Sequence, residues 1–381
     1  MPEIHVTLLP GFDALDAELT AFAARLNFEI AESTDNDFFL TRAWFENLAE
    51  FGLESAGDQS ASVQLLFAAD SVSGYAACLP LLAHKKLSSL SNYYTGEYGL
   101  MRWQPKDEKA KKAISPAREV QERLTIALGQ HLQKLFPTSP ILFFLPLASD
   151  APFTGFFESI LKKSGYWTDR YFAFANWYLN VEGRTSETCF LSLPSPLRNS
   201  IERGKRRLAH TSWRLQIIQS GEPKLEAAIA HFVSVYEQSW KSPEPNPDFI
   251  PNLIRIAATN GWLRLGLLEL DNQPIASQLW LVQNKKAFIF KLAFVKGYER
   301  FSPGSILTWT LMQHVIDTDK VTEVDYLSGD DPYKKDWMSN RRERYGIVAF
   351  SRFRLSGIWA ACRHFANGLF RKKRHGIKIL E

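Results

Sequence analysis

YERFSPGSILTWTLMQHVIDTDKVTEVDYLSGDDPYKKDWMS, residues 298–339, decides how this chain is read. Ser302-Pro303-Gly304-Ser305 is a small turn that opens an apolar helix, expected over Ser305 to Ile316, and a strand is expected from Glu323 to Leu327. Proline suits the first helical position, and the first amides of a helix lack intrahelical partners at the positive end of its dipole. A helix start of this kind can hold an anion, and Gly304 lets the backbone approach it closely. Ser302 or Ser305 caps the helix or donates to that anion. After the strand, Asp330-Asp331-Pro332 forms a turn ahead of a short helix near Tyr333 to Ser339.

Upstream, WLRLGLLELDNQPIASQLWLVQNKKAFIFKLAFV (262–295) reads as three strands joined by turns at Asp271-Asn272 and Asn284-Lys285. Two helical patterns precede it, GEPKLEAAIAHFVSVYEQSW and PNPDFIPNLIRIAATNG, and GIVAFSRF follows as a last strand. The first half repeats this outline. A helix in DNDFFLTRAWFENLAEFGL leads to a hairpin turning at SVSG, a helix over Ala117 to Leu135, the strand ILFFLPL, the helix TGFFESILKKSGY and the strand YFAFANWYLNV. A duplicated α/β unit is the simplest account. Arg198, Arg203, Lys205, Arg206 and Arg207 crowd into ten residues and mark a boundary, giving domains 1–185 and 186–355 with a basic amphipathic tail, 356–381.

At 381 residues, with 45% hydrophobic and 23% charged residues, the chain has material for two cores and does not read as disordered. A net charge of +4 does not by itself call for nucleic acid. Three scattered cysteines, Cys78, Cys189 and Cys362, suggest neither a disulfide framework nor a zinc site. The first residues lack a secretion-signal pattern, and no apolar run approaches the ~20 residues that span a bilayer, so a cytoplasmic protein is expected. In the tail, Ile358, Cys362, Phe365 and Leu369 share a helical face ahead of the basic run Arg371 to Arg374. That helix either packs on its own domain or makes peripheral contact with an anionic membrane.

RNSIERGKRRL, VYEQSWK, LRLGLLELDNQPIASQLWL, AFIFKLAF, SPGSILTWTLMQHVI and DYLSGDDPYKKDWMSNRRERYGI, within residues 190–350, together resemble the C-terminal half of the CelD-like acyltransferases. That branch of the GNAT superfamily includes the FemAB-type peptidyltransferases, which are tandem GNAT folds. The resemblance implies an α/β (α+β) class with two GNAT-like domains, each a mixed, mostly antiparallel sheet flanked by helices. It also implies acyl-CoA (acetyl-CoA) as co-substrate, no metal, and a pyrophosphate site at Ser302, Gly304 and Ser305, although the family's loop is usually richer in glycine.

Transfer to an amine needs a proton acceptor and a donor for the developing oxyanion. Asp325, in its strand, is the candidate base, and Lys291 and Lys334 are candidate cations; Lys335 is a further one. Lys291 lies in an apolar strand and needs either a charge partner such as Asp325 or an anionic ligand. Candidates for the acceptor side are Glu237 and Trp240 on the first helix of the second domain, Asp330, and Tyr94 with Glu97 in the loop SNYYTGEYG. No Ser-His-Asp spacing, metal cluster or Walker loop is present in the sequence.

The leading expectation is acyl transfer from coenzyme A to an amine or hydroxyl of a small-molecule or glycan-precursor acceptor, as in polysaccharide or cell-envelope biosynthesis. The alternatives are a FemAB-type aminoacyl-tRNA-dependent transferase, with the basic run holding RNA phosphate, and a non-catalytic binding protein of a polysaccharide system.

Overall fold

A computed structural model describes residues 4–26, 29–53, 61–84, 86–107, 117–135, 139–149, 151–220 and 223–372. Two compact units divide the chain: unit 1 takes the described residues within 1–45, 55–173 and 344–381, and unit 2 those within 46–54 and 174–343.

Unit 1 contains β1 (Ile4–Leu9), α1 (Phe12–Leu26), β2 (Ile30–Glu32), the start of α2 (Arg42–Phe51), β3 (Ser62–Asp70), β4 (Ala76–Ala83), β5 (Leu87–Ser89), β6 (Met101–Pro105), α3 (Ala117–Leu135), β7 (Ile141–Ala148) and α4 (Pro152–Lys163). The pairs β1/β3, β3/β4, β4/β5, β4/β6 and β2/β6 are antiparallel, whereas β5 and β7, joined across α3, are parallel. The unit takes the first part of β8 (Tyr166–Asn180).

Unit 2 holds the rest of β8, then α5 (Ser186–Ser192), α6 (Ser195–Leu208), β9 (Trp213–Ile218), α7 (Leu225–Glu237), α8 (Phe249–Thr259), β10 (Leu263–Leu270), β11 (Gln273–Gln283), β12 (Lys286–Phe294), α9 (Pro303–Asp317), β13 (Glu323–Ser328) and α10 (Lys334–Trp337). Its strands run in the order β8-β13-β12-β11-β10-β9. The β10/β11 and β11/β12 turns place Asp271 and Asn272 at φ 51° and 61°, and Asn284 and Lys285 at 48° and 59°. Two consecutive left-handed residues form the tight hairpin turn whose twist matches the strands. Only β12 and β13, bridged by α9, are parallel among the described pairs of this unit. Each unit is thus a mixed, mostly antiparallel sheet flanked by helices, with one parallel pair among its described pairs. The core of unit 2 gathers Trp280, Leu307, Leu311 and Val324, each fully buried.

The last strand, β14 (Asn340–Ser351), and α11 (Leu355–Lys372) return the chain to unit 1, where β14 pairs antiparallel with β7. The chain changes unit after Ala173, inside β8, and after Glu343, inside β14, whereas composition places boundaries at 185/186 and 355/356. A strand carries no linker composition, and the arginine-rich segment that drew the boundary is α6, anchored through Ile201, Gly204 and Leu208. No helix among the described residues is long and apolar enough to cross a membrane. On α11, Phe365 sits 6.1 Å from Phe350 at half exposure, while Leu355 and Trp359 stand out at 87% and 64% exposed. The side chains of Leu369, Arg371 and Lys372, and residues 373–381, lie outside the description.

Candidate active site

The site follows from the register of two strands. β12 pairs with β13 over three positions only, ending at Phe288 opposite Asp325. Against β11, Leu279 faces Lys291 and Trp280 faces Ile289, so Phe290 is an extra residue. A bulge bends its strand and ends local pairing. Beyond it, Leu292 and Phe294 of β12 and Tyr326 of β13 line a cleft of ≈ 550 Å³. Ser302, Pro303, Gly304, Ser305 and Thr308 form another wall, with Trp240, Lys241, Asp331, Tyr333, Asp336 and Trp337 around the rest.

The start of α9 is held from β11. Buried Gln278 donates through Nε2 to the Gly304 carbonyl at 3.0 Å and to Thr308 Oγ1 at 2.7 Å, while its Oε1 accepts from Trp280 Nε1 at 2.9 Å. Ser302 adopts φ 50° and makes no side-chain cap; its hydroxyl lies 2.9 Å from that of Ser200 on α6. α6 comes close because Gly204 has no side chain: a Cβ there would lie 2.3 Å from the Phe301 carbonyl oxygen. The first bond of the helix runs from Ile306 N to Ser302 O. The Gly304 and Ser305 amides therefore precede the intrahelical ladder, and Pro303 has none to offer.

Three lysines lie around this cleft. Lys291 donates to Glu244 Oε1 at 2.6 Å, with Tyr236 beneath it at 5.5 Å. Lys334 is 5% exposed; its ammonium donates to Ser328 O, meets the Tyr326 carbonyl at 3.4 Å and lies 3.4 Å from Asp331. Burial pushes both ammonium groups down against the pull of those carboxylates. Lys241 points over Tyr236 and Trp240, at 5.7 and 6.0 Å. No carboxylate among the described residues forms a salt bridge with it. Burial first, then repulsion from Lys291, lowers its pKa from the ordinary 10.5 to about 8. Burial raises the Tyr333 phenol to about 12 and also pushes the Tyr326 phenol well above its ordinary value.

Several sequence expectations change here. Asp325 does not pair with Lys291. It is 1% exposed and accepts from Asn176 Nδ2 at 2.5 Å, from the Leu327 amide at 2.6 Å and from Arg342 at 2.6 Å. Successive strand residues point to opposite faces, and Tyr326 takes the cleft side. Lys291 and Lys334 likewise sit behind the lining, Lys334 stapling the turn where Leu327 and Gly329 have φ 54° and 113°. Asp330 is held by Trp177 Nε1 at 2.7 Å and Arg341 at 3.1 Å, leaving Asp331 in the cleft. Glu237 is exposed at the end of α7 and outside the lining. Tyr94 belongs to unit 1, buried against Tyr93 at 3.9 Å. Ser302, Gly304, Ser305 and Trp240 do come together, with Trp240 4.5 Å from Phe294. Gln278, Thr308, Tyr326 and Lys241 were not singled out by sequence. A glutamine inside the apolar run ASQLWLV is the same kind of signal that drew attention to Lys291.

Residues 195–335 match the family described as an acetyltransferase (GNAT) domain. No curated protein matches the chain. Among solved structures, the chain is similar to the C-terminal domain of a putative lysylphosphatidylglycerol synthetase from Agrobacterium fabrum, at 13% identity and TM-score 0.51, over 87% of this chain and 92% of that one. It is also similar to a conserved protein of unknown function from Bacteroides thetaiotaomicron, at 10% identity and TM-score 0.51, over 91% of this chain and 100% of that one. At such identities the likeness is one of fold.

Proposed function

We propose that unit 2 is an acyltransferase that takes an acyl group from acyl-CoA, acetyl-CoA in the simplest case, and passes it to an amine or hydroxyl on a small-molecule or glycan-precursor acceptor, as in the CelD-like branch. The observation that carries this is the parting of β12 from β13 beside the unbonded amides of Gly304 and Ser305. Those amides and the Lys241 ammonium would hold the pyrophosphate of coenzyme A. The co-substrate supplies an activated acyl group and a thiolate as leaving group. Trp240 and Phe294 give the cleft an apolar wall, Tyr333 keeps its proton at neutral pH and can donate it, and Asp331 and Asp336 orient an amine and accept its proton.

Exposed Arg203, Arg206 and Arg207 on α6 favour a second reading, aminoacyl transfer from tRNA. Thiol release from acetyl-CoA in the presence of amino sugars tests the first reading; consumption of aminoacyl-tRNA with no thiol release would replace it with the second. The cytoplasmic setting belongs to the same proposal. So does peripheral contact with an anionic membrane, supported by Phe353, Leu355 and Trp359 at 73%, 87% and 64% exposed among exposed Arg352, Arg354 and Arg363.

A further inference from the structure

Unit 1 has a cavity of its own, ≈ 510 Å³, at the ends of β6 and β7 and the first turns of α3 and α4. Its charged lining is Asp35, Asp37, Glu97, Arg102, Arg118 and Glu122. Arg118, Glu122 and Glu97 are matched inside the protein. Arg118 donates to Glu122 at 3.2 Å, and Glu97 accepts from Arg344 at 3.1 Å. Arg102 is different. It extends from β6, which is held between β2 and β4. Its Nε is buried with no hydrogen-bond partner, and no carboxylate among the described residues reaches ion-pair distance of its guanidinium. Asp35 and Glu97 act on it only through space, and burial outweighs them in lowering its pKa.

A buried Nε–H on a charged group is destabilising when it has no acceptor, unless something satisfies it. The planar guanidinium fork matches a carboxylate or a phosphate. Two features select between them. Asp35 and Glu97 act on the same guanidinium, and a dianionic phosphate is repelled by them more than a singly charged group is. Leu40, Tyr98, Phe153 and Phe156 give the cavity an apolar wall that suits a hydrophobic body, beside the polar Gln121, Thr125 and Thr154.

We propose that this unit 1 cavity binds a small carboxylic acid with an apolar body, its carboxylate on Arg102. The site is separate from the unit 2 cleft and does not depend on the acyl-transfer reading.

The test uses the full chain and three probes of one shape: benzoate, phenyl phosphate and the neutral benzamide, followed by saturation-transfer NMR. Benzoate should bind with a Kd below about 10 mM, a modest affinity for a fragment. Benzamide should bind at least ~10-fold more weakly, because it cannot form the charged pair. Arg102→Gln should remove the benzoate preference, while Arg203→Gln on unit 2 should leave it unchanged. The benzoate to benzamide ratio needs no variant, so it still decides the matter if Arg102→Gln fails to fold. Equal binding of the two, or no benzoate signal at that concentration, would overturn the site. Tighter binding of phenyl phosphate would overturn the carboxylate assignment in favour of a phosphate. Undiminished benzoate binding by a folded Arg102→Gln would place the ligand elsewhere.

Discussion

Asp325 and Arg342 meet at 2.6 Å inside unit 2, and the same guanidinium reaches Glu323 at 2.7 Å and the Asn176 side-chain oxygen at 2.6 Å. This network ties β13 to β8 and to the first residues of β14. It makes Asp325 a structural carboxylate. Asp325→Asn is expected to lower stability by about 2–4 kcal/mol, since it half-breaks a buried pair that Glu323 partly compensates. Turnover per folded molecule should stay within about threefold of the parent, because a base would have been worth ~10²-fold or more. Urea midpoints read beside initial rates at low temperature check both statements.

Lys241 gives a pH-dependent stability with a definite sign. Its pKa is lowered from 10.5 to about 8, so between these values the folded chain binds fewer protons than the unfolded one and stability rises with pH. Below pH 8 the lysine is charged in both states and the folded state carries the full penalty. Lys241→Met should therefore stabilise unit 2 at pH 7 by on the order of 1–3 kcal/mol after allowing for solvent screening, with the gain fading as pH approaches 10.5. Denaturation curves at a series of pH values show whether the difference shrinks as stated. The same variant should weaken coenzyme A binding, a case of stability gained where a ligand contact is lost.

Gly204→Ala should be costly despite its small size. The added methyl would stand 2.3 Å from the Phe301 carbonyl oxygen and 2.9 Å from Ile306 Cδ1, so α6 must back away from the start of α9. A loss of about 1–3 kcal/mol follows from overpacking. If the Tm is unchanged, the close approach of α6 to the site is not a real constraint.

The elements of unit 2 were legible because local rules and tertiary packing agree there. Asp271-Asn272 and Asn284-Lys285 are turn dipeptides between alternating strands, and SPGS opens a helix whose apolar residues are buried nearly all round. The turn at Ser302 to Ser305 and Trp240, which line one cleft, lie in segments that the sequence singles out. The roles of Asp325, Lys291 and Lys334 could not be read there, because their partners come from distant positions: Asn176 and Arg342, Glu244, and backbone carbonyls of a positive-φ turn. Sequence offers no way to choose Glu244 over Asp325 as the mate of Lys291. The cleft itself arises from a one-residue bulge at Phe290, and an apolar strand such as AFIFKLAF carries no mark of where it slips. The division inside β8 and β14 was hidden for the same reason: a continuous strand has no compositional break.

The central claim is that the cleft between β12 and β13 holds a phosphorylated acyl donor on the first amides of α9. Calorimetric titration of the full chain with acetyl-CoA tests it most directly, run beside Gly304→Val, whose new side chain would crowd Phe294, 3.3 Å from the position of the added Cβ, at the mouth of those amides. The account predicts one site per chain for the parent and a loss of about 1.5–3 kcal/mol in the variant for each amide bond disturbed, with its melting curve unchanged. No binding to the folded parent, or equal affinity in a folded Gly304→Val, would contradict it.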